Sequence, residues 1–347
     1  MQAGDTVGPY RLQKLLGCGR FGIVFAGHTA EGSTAALKIP RKSSAARELA
    51  AAEVELVAAC QLTHVACPLV RVLSVEHTPR IRNILALEPM TGGTLEQQAP
   101  LSWPDTARMY TTVCDGLCWL HDRGYLHCDL KPENVLVHGH VAKLSDLGNA
   151  QPLGSLQQPL TTFYYRAPET VLQQTPYTPA VDVWALGCCL YETTTGHPLF
   201  DIDEDGSTTT ASEAGSESGA SEEAESESES ESASTDALSE PRWSSSSVSS
   251  DDSADDETEA LAQLALMQAY CGTFPRETRK AKRQFFNAKG QLFATDFELP
   301  YPSLEAKLAA ETDAPHPELL PLLRQVFRYK ARPRLAVLRQ ALSSAAK

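Results

Sequence analysis

The feature that most limits how this chain can fold is an acidic, serine-rich stretch in its second half. Residues 201–259 contain 20 Asp and Glu residues, 23 Ser and Thr residues and a single basic residue. Their only large apolar residues are Ile202, Leu238, Trp243 and Val248. Such a stretch buries too little apolar surface to offset the entropy lost on ordering, so we predict that it is disordered. The folded core must then be assembled from the residues on either side of it.

The rest of the chain has the composition of a folded protein. Of the 347 residues 42% are hydrophobic, and outside the acidic stretch 24 acidic residues stand against 29 basic ones. No run approaches the ~20 apolar residues of a membrane helix, and the N-terminus lacks the features of a secretory signal. We therefore expect a soluble protein of the cytoplasm, the nucleus or both. The nine cysteines form no CxxC pair, so no structural zinc site is expected.

Hydrophobic patterns predict strands in the first part of the chain and helices after it. Strands are expected within 10–40, 70–76 and 81–88, and an alanine-rich helix over 45–60. Ser102, with Asp105 three positions on, is typical of the start of a helix. Another helix should begin at Thr178-Pro179 and end at Gly196.

Residues 17–24 read Gly-Cys-Gly-Arg-Phe-Gly-Ile-Val, a G-x-G-x-x-G-x-V loop. Glycine lets backbone amides approach phosphates closely. A dinucleotide-binding fold would continue with a helix, whereas the apolar run here favours a hairpin over a nucleotide. Lys38 ends the next predicted strand, and a carboxylate on the following helix would make it a phosphate-positioning group. Glu53 fits that position best, with Glu48 and Glu55 as alternatives.

The segment His127 to Asn134, followed twelve residues later by Asp146-Leu147-Gly148, carries the most specific signal. Phosphoryl transfer requires a carboxylate facing the attacking hydroxyl and oxygen ligands for magnesium. Asp129 fits the first role, and Asn134 and Asp146 fit the second. Lys131 can offset charge that develops on the γ-phosphate. The order and spacing of these motifs indicate ATP-dependent phosphoryl transfer.

With these motifs the chain resembles a eukaryotic-type Ser/Thr protein kinase over nearly everything outside the acidic stretch. The resemblance implies an α+β, two-lobed protein kinase fold, with a small β-rich N-lobe, a larger helical C-lobe and a disordered acidic insert. The expected divisions are 1–89 for the N-lobe, 90–200 and 260–347 for the C-lobe, and 201–259 for the insert. ATP and Mg²⁺ are the implied cofactors and proteins the implied substrates. We expect a monomer without direct contact to nucleic acid or membrane.

The stretch from Thr162 to Glu169 resembles the end of a kinase activation segment. By this resemblance Thr162 contacts Asp129, and Glu169 forms a buried ion pair with Arg334. Asp182 would brace the backbone of the catalytic loop, which we define as residues 127–134.

Two further positions refine the resemblance. Arg166, in Tyr-Arg before Ala-Pro-Glu, marks the CMGC group of kinases, as does the extra segment after Gly272-Thr273-Phe274-Pro275. Cys128 stands where most kinases carry an arginine that needs an activation-segment phosphate to offset its charge. Without that arginine, no such phosphate is expected to be required.

The resemblance also assigns nucleotide contacts. Leu87 falls at the gatekeeper position, and the three residues after it form the hinge that binds adenine through backbone groups. The residues expected to contact ATP are Gly17, Cys18, Gly19, Gly22, Val24, Ala36, Lys38, Glu88 and Met90.

Within the CMGC group the sequence is most similar to the SR-protein kinases, which implies arginine/serine-rich substrates. Residues 146–150 read Asp-Leu-Gly-Asn-Ala, and residues 285–292 resemble an insert of that family. Ala-Pro-Glu, however, is intact, and the long insert follows Phe200 instead of the catalytic loop, so a proline-directed or other CMGC specificity stays open. A pseudokinase scaffold is the alternative from another class, although no required residue is missing.

The acidic insert itself has two interpretations. It can be a solvated spacer, since lengthening a loop adds little to the entropy of closing it. It can also be regulatory, and either fold back onto the basic run Arg276 to Arg283 or attract arginine-rich substrates.

Overall fold

The computed structural model describes residues 1–157, 161–202, 253–293, 299–313 and 315–346. Most of the stretch predicted to be disordered, residues 203–252, lies outside the described residues. The described residues form a small β-rich lobe followed by a larger, mainly helical lobe, in agreement with the expected α+β fold of two lobes. The division of the chain into domains at residues 89, 200 and 259 stays a prediction.

The N-terminal lobe is built on an antiparallel sheet of six strands. In chain order these are β1 (Thr6–Val7), β2 (Tyr10–Cys18), β3 (Gly22–His28), β4 (Thr34–Pro40), β5 (Val72–Glu76) and β6 (Ile84–Leu87). Their spatial order is β1-β2-β3-β4-β6-β5. Every second residue of β4 from Ala35 through Leu37 to Ile39 is buried, as expected for a strand with one face on the core. Strands β2 and β3 form the hairpin predicted around the glycine-rich turn.

Helix α1 (Ser44–Ala59) follows β4 and begins at a side-chain cap. The Ser43 hydroxyl accepts a hydrogen bond from the Ala46 amide at 3.3 Å, which satisfies one of the amides that a first helical turn leaves unpaired. The buried residues Ala46, Glu53 and Leu56 are spaced by seven and three positions, so they share one face of the helix. The buried face of α1 therefore contains a carboxylate.

The C-terminal lobe is mainly helical and begins after β6. Its helices are α2 (Leu95–Gln98), α3 (Trp103–His121), α4 (Pro168–Val171), α5 (Ala180–Thr195), α6 (Ser253–Cys271), α7 (Arg276–Ala281), α8 (Leu304–Glu311), α9 (Leu319–Val326) and α10 (Leu335–Ala345). Short strands β7 (Tyr125–Leu126), β8 (Val135–His138), β9 (Val141–Leu144) and β10 (Gln151–Pro152), and 3₁₀ turns at Pro132–Asn134 and Phe163–Tyr165, lie between α3 and α4. Strand β8 pairs with β9 and β7 with β10, so the residues between α3 and α4 form two small sheets.

Helix α5 lies in the centre of the C-terminal lobe, where 14 of its 16 residues are buried. The Trp184 ring stacks on Phe200 at a centroid distance of 5.6 Å and meets Phe327 edge-on at 4.8 Å. A Cβ atom at Gly187 would lie 2.5 Å from the Val326 side chain. Only glycine therefore allows α9 to approach α5 this closely.

The three helix ends predicted from capping signals lie within one residue of their observed positions. Ser102 caps α3 by accepting from the Asp105 amide at 3.3 Å. Helix α5 ends at Gly196, whose φ of +84° lies in the left-handed region that favours glycine. Its N-terminal cap is Pro179, one residue after the predicted Thr178.

Helix α6 begins a few residues before the expected end of the acidic insert, which stays a prediction. Composition predicts disorder up to residue 259, whereas the helix begins at Ser253. Helix formation is cooperative. The buried positions that anchor α6, from Ala262 to Tyr270, support helical turns that extend toward the N-terminus beyond the change in composition.

The predicted ion pair between Glu169 and Arg334 is wrong in its basic partner, which is Arg332. Arg332 Nη2 donates to Glu169 Oε2 at 2.8 Å, and Nη1 contacts Oε1 and donates to the Ala180 carbonyl at 2.9 Å. The Arg332 side chain is 4% exposed and lies against the Trp184 ring. Arg334 is exposed because the chain has already reached the N-terminal cap of α10 there.

We expect Arg332→Ala to lower the free energy of unfolding by about 3 kcal/mol, because it leaves the largely buried Glu169 carboxylate unpaired. Arg334→Ala is the matched control: it removes the same charge from an exposed position and should cost less than about 0.5 kcal/mol. Urea denaturation followed by circular dichroism measures both. Equal losses in the two variants would contradict this assignment of the ion pair.

Candidate active site

A lysine and two carboxylates meet where β4, α1 and the loop after β9 come together. Lys38 Nζ lies 2.7 Å from Glu53 Oε2 and 2.9 Å from Asp146 Oδ1. Of the three acidic residues considered on α1, Glu53 is the one on the buried face. Glu48 accepts from a serine hydroxyl of its own helix at 2.7 Å, and Glu55 is exposed. The structure thus joins one cation to carboxylates that lie 15 and 108 residues further along the chain.

Mutual attraction favours the charged forms of Lys38 and Asp146, whereas burial raises the pKa of Glu53. Burial alone would lower the pKa of Lys38, but the carboxylates of Glu53 and Asp146 raise it above its ordinary value. Burial also opposes the charge on Asp146, but the Lys38 ammonium outweighs it, so the pKa of Asp146 lies below its ordinary value. At neutral pH the group therefore offers a cation that suits phosphate and an anion that suits a metal ion.

Asp182, on α5, holds the backbone of the catalytic loop, as the resemblance to protein kinases implies. Its Oδ2 accepts from the His127 amide and its Oδ1 from the Cys128 amide, each at 2.9 Å, and His121 Nε2 lies 2.7 Å from Oδ2. Cys128 has a φ of +64°, which non-glycine residues rarely adopt. Burial opposes the Asp182 charge, but hydrogen bonding and attraction from His121 lower its pKa. A buried carboxylate therefore stabilises a strained bend directly before the predicted catalytic base.

Both carboxylate oxygens of Asp129 accept hydrogen bonds from residues after Asp146. Oδ1 accepts from the amide and the hydroxyl of Thr162, at 3.1 and 2.8 Å, which is the contact expected from the sequence. Oδ2 accepts from Asn149 Nδ2 at 3.1 Å. Sequence reasoning missed this contact, and the only signal for it is the position of Asn149 directly after Asp-Leu-Gly. Donors on both sides therefore set the orientation of this carboxylate.

The expected metal ligands, Asn134 and Asp146, are linked through Ser145. The Ser145 amide and hydroxyl both donate to the Asn134 carbonyl at 2.9 Å. Asn134 Nδ2 donates to the Asp129 carbonyl at 2.8 Å, so its side-chain oxygen is the atom that would ligate a cation. Carboxylate and amide oxygens fit the preference of Mg²⁺. In the described part of the chain no three His, Cys, Asp or Glu side chains group into a metal site, so nucleotide and water would complete the ligands.

Lys131 lies in extended backbone between Asp129 and the 3₁₀ turn that carries Asn134. Its Nζ is 3.9 Å from Glu133 Oε1, with 23% of the side chain exposed. That distance is too long for a hydrogen bond, so the ammonium is not tied to Glu133 by one.

The glycine-rich turn joins β2 to β3 with the expected nucleotide contacts around it. Gly17 pairs with Val24 across the hairpin, and the Gly19 amide donates to the Gly22 carbonyl at 2.9 Å. A Cβ atom at Gly22 would lie 3.0 Å from a backbone oxygen of β4, so glycine suits this close approach. Val24 in turn pairs with Lys38, which places the hairpin next to the charged group.

The expected hinge follows the end of β6. Ala36 pairs with Leu87, the last residue of that strand. The Glu88 carboxylate forms an ion pair with Lys143, so the group that Glu88 would offer a nucleotide is its backbone. Met90 is half-buried.

Arg166 folds back onto the activation segment. Its Nε donates to the Thr161 carbonyl at 3.1 Å, and its guanidinium lies 5.3 Å from the centre of the Phe163 ring. The backbone oxygen directly before Thr162 is therefore already hydrogen-bonded within the chain.

Comparison with known proteins gives the family. Residues 10–343 match the profile described as "Protein kinase domain". Cyclin-dependent kinase F-3 of Oryza sativa subsp. japonica is 42% identical over 109 residues, 30% of this chain and 25% of that protein. Cyclin-dependent kinase 8 of Drosophila melanogaster is 38% identical over 110 residues, 28% of this chain and 24% of that protein. The probable CTD kinase subunit alpha homolog of Encephalitozoon cuniculi is 27% identical over 197 residues, 55% of this chain and 59% of that protein.

The chain belongs to the protein kinase domain family. Its relatives include cyclin-dependent kinases, which are members of the CMGC group. The aligned part spans about a quarter of the two cyclin-dependent kinases named above. Over the described residues, no helix is both long enough and apolar enough to cross a membrane.

Two cysteines of the site differ in their access to solvent, which makes them distinguishable by chemical modification. Cys18 is exposed, whereas Cys128 is 3% exposed and burial raises the pKa of its thiol. Because alkylation requires an accessible thiolate, we expect iodoacetamide to modify Cys18 in the folded protein and Cys128 only after unfolding in urea. Peptide mass mapping measures both, with the fully buried Cys189 as internal control. Modification of Cys128 but not Cys189 under native conditions would contradict the packing of the catalytic loop.

Proposed function

We propose that the chain is an ATP-dependent serine/threonine protein kinase. The proposal depends on one observation: the Lys38–Glu53–Asp146 group lies in the same site as a loop whose Asp129 is oriented from both sides. Bound magnesium-ATP supplies the γ-phosphoryl group and the metal charge that stabilises its transfer.

In this mechanism each polar residue has a separate task. Lys38, fixed by Glu53, binds the phosphates under the glycine-rich hairpin. The oxygens of Asp146 and Asn134 hold magnesium. Lys131 offsets the negative charge that develops on the phosphoryl oxygens.

Asp129 orients the acceptor hydroxyl and takes up its proton as the new oxygen–phosphorus bond forms and the bond to ADP breaks. Each carboxylate oxygen can accept two hydrogen bonds. Oδ2 accepts from Asn149 Nδ2 at 3.1 Å and from Asn134 Nδ2 only at 3.5 Å, so the acceptor hydroxyl would take the place of that longer contact. A pseudokinase scaffold is disfavoured because Lys38, Asp129 and Asp146 are all present and the first and last are in contact.

Two substrate specificities remain in competition. Residues 146–150 and 285–292 support arginine/serine-rich acceptors, through their resemblance to SR-protein kinases. Arg166 supports a proline-directed specificity, as do relatives named cyclin-dependent kinases. Because Arg166 already occupies the Thr161 carbonyl, that oxygen does not need an amide from the substrate, and proline has none to give. We propose arginine/serine-rich proteins as the main substrates and keep proline-directed sites as the alternative.

We also propose that the protein acts as a monomer in the cytoplasm, the nucleus or both, on protein substrates and without direct contact to nucleic acid. The relative named as a CTD kinase subunit supports a nuclear role. The basic run from Arg279 to Arg283 would suit nuclear import.

Phosphate transfer from labelled ATP with magnesium tests the proposed activity. We expect wild-type protein to phosphorylate an arginine–serine peptide, and Asp129→Asn to lose about 10²-fold or more of kcat because it removes the base. A proline-directed serine peptide is measured in parallel.

Phosphate transfer to the proline-directed peptide alone would support the proposed kinase activity and contradict the proposed preference for arginine/serine-rich substrates. Absence of transfer to either peptide and of autophosphorylation, despite measurable ATP binding, would favour the scaffold.

Asn149 is a positioning residue under this proposal, since its side-chain amide donates to Asp129 and is given no task of its own at the nucleotide. We expect Asn149→Ala to lower kcat about tenfold, the equivalent of one lost hydrogen bond to a charged group, with KM for ATP unchanged. Gln157→Ala, an exposed residue of the same segment, is the control. A rise in KM for ATP without a change in kcat would contradict the role given to Asn149.

A further inference from the structure

One face of the C-terminal lobe carries a dense positive charge. It is formed by two stretches that are far apart in sequence, residues 276–289 and 328–334, which we call the basic surface. Together they contain ten Lys and Arg residues and one acidic residue, Glu277, and nine of the ten cations contribute to the surface because Arg332 is buried in its ion pair with Glu169. The basic run expected from the sequence is therefore only half of this surface.

Two contacts join the stretches. Lys330 Nζ lies 3.2 Å from Glu277 Oε2. The Tyr329 ring stacks on Phe274, two residues before α7, at a centroid distance of 4.4 Å. The stacking of these two rings holds the two positively charged stretches next to each other.

Most of this positive charge is not neutralised by the lobe beneath it. Arg279 donates to the carbonyls of Phe274 and Gly290, and Lys282 to the carbonyl of Gln173. A carbonyl group is uncharged, so these bonds position the side chains without cancelling their charge. The exposed residues of the surface include Arg276, Lys280, Arg283, Lys289 and Arg328.

The same chain contains a segment of opposite charge. Residues 203–252 carry 15 acidic residues against one basic residue, Arg242, and six of the acidic residues fall within 222–231. The segment joins Ile202 to the start of α6, and α6 leads to the basic surface. That helix of 19 residues is about 28 Å long at the usual rise, whereas 50 residues of extended chain can span about 165 Å. Chain length therefore permits the contact.

We propose that residues 203–252 dock in cis on the basic surface, with the acid-rich part at 222–231 against α7 and the residues that follow it. Tethering raises the effective concentration of the segment to the millimolar range, so it competes with any acidic partner in solution. Phosphorylation of Ser226, Ser228 or Ser230 adds about −1.5 to −2 charges each and strengthens the contact. The proposal does not depend on kinase activity.

Zero-length carbodiimide cross-linking of the full chain tests this contact, because it joins an amine to a carboxylate only where they touch. We expect Lys280 and Lys282 to be linked to carboxylates of 203–252 in monomeric protein, as read by peptide mass mapping. Lys14 and Lys42, exposed on the N-terminal lobe, are the control amines. The yield at Lys280 should fall in about 1 M salt, where the screening length is about 3 Å.

Paired variants test the charge of the surface while keeping the reporter lysines. We expect Arg276→Gln with Arg283→Gln to lower the cross-link yield at Lys280 about threefold or more, from the weakening of two exposed ion pairs. Arg80→Gln with Arg82→Gln, both exposed on the N-terminal lobe, should leave it unchanged.

Three results would overturn the proposal. One is equal yield at Lys42 and Lys280, which would mean random encounter. Another is a cross-link yield at Lys280 that changes neither in high salt nor in the surface variants. The third is cross-linking found only between two chains and increasing with protein concentration, which would place the contact in trans.

Discussion

The contact of Lys38 with Glu53 and Asp146 is the interaction on which the rest of the site depends. A buried ammonium without a partner is costly, because the protein interior solvates charge poorly. The two carboxylates that contact Lys38 come from α1 and from the loop after β9, so these ion pairs stabilise the positions of the helix and the loop as well as the cation. The burial of Glu53 on the inner face of α1 is thus part of the geometry of the candidate active site, and a rotation of that helix would separate the Glu53 carboxylate from its cation.

Asp182 plays a comparable part within the C-terminal lobe, but its partners are backbone amides. Its carboxylate is 1% exposed and accepts from two successive amides at a residue with positive φ. The residue in that strained position, Cys128, has a buried thiol whose pKa is raised by burial, so it carries no charge. An arginine there would bring a cation that needs a counter-charge, and the thiol removes that need. Asp182 of α5 therefore holds the bend before Asp129.

Sequence reasoning succeeded where chemistry depends on residue type and spacing, and failed where it depends on a choice among near neighbours. Glu53 could be favoured over Glu48 and Glu55 because helical periodicity separates their faces. Arg332 and Arg334 are only two residues apart. The position at which α10 begins selects between them, because Arg332 lies just before the helix and reaches Glu169 whereas Arg334, the cap residue, faces solvent. The amide of Asn149 was missed because nothing in a short polar motif fixes where its side chain points.

The structure uses charge in two physically different ways. Near the catalytic loop each charge has a partner at 2.7–2.9 Å, and most of these side chains are at least partly buried, so added salt screens them less than it screens fully exposed charges. On the basic surface nine cations share few carboxylates and most of them face water, where the screening length is about 8 Å at physiological ionic strength. The first arrangement specifies one geometry, and the second accepts many geometries of an anionic chain. A segment of repeated Ser and Glu residues would need no defined fold to bind such a surface, so the composition from which disorder is predicted also suits the proposed contact.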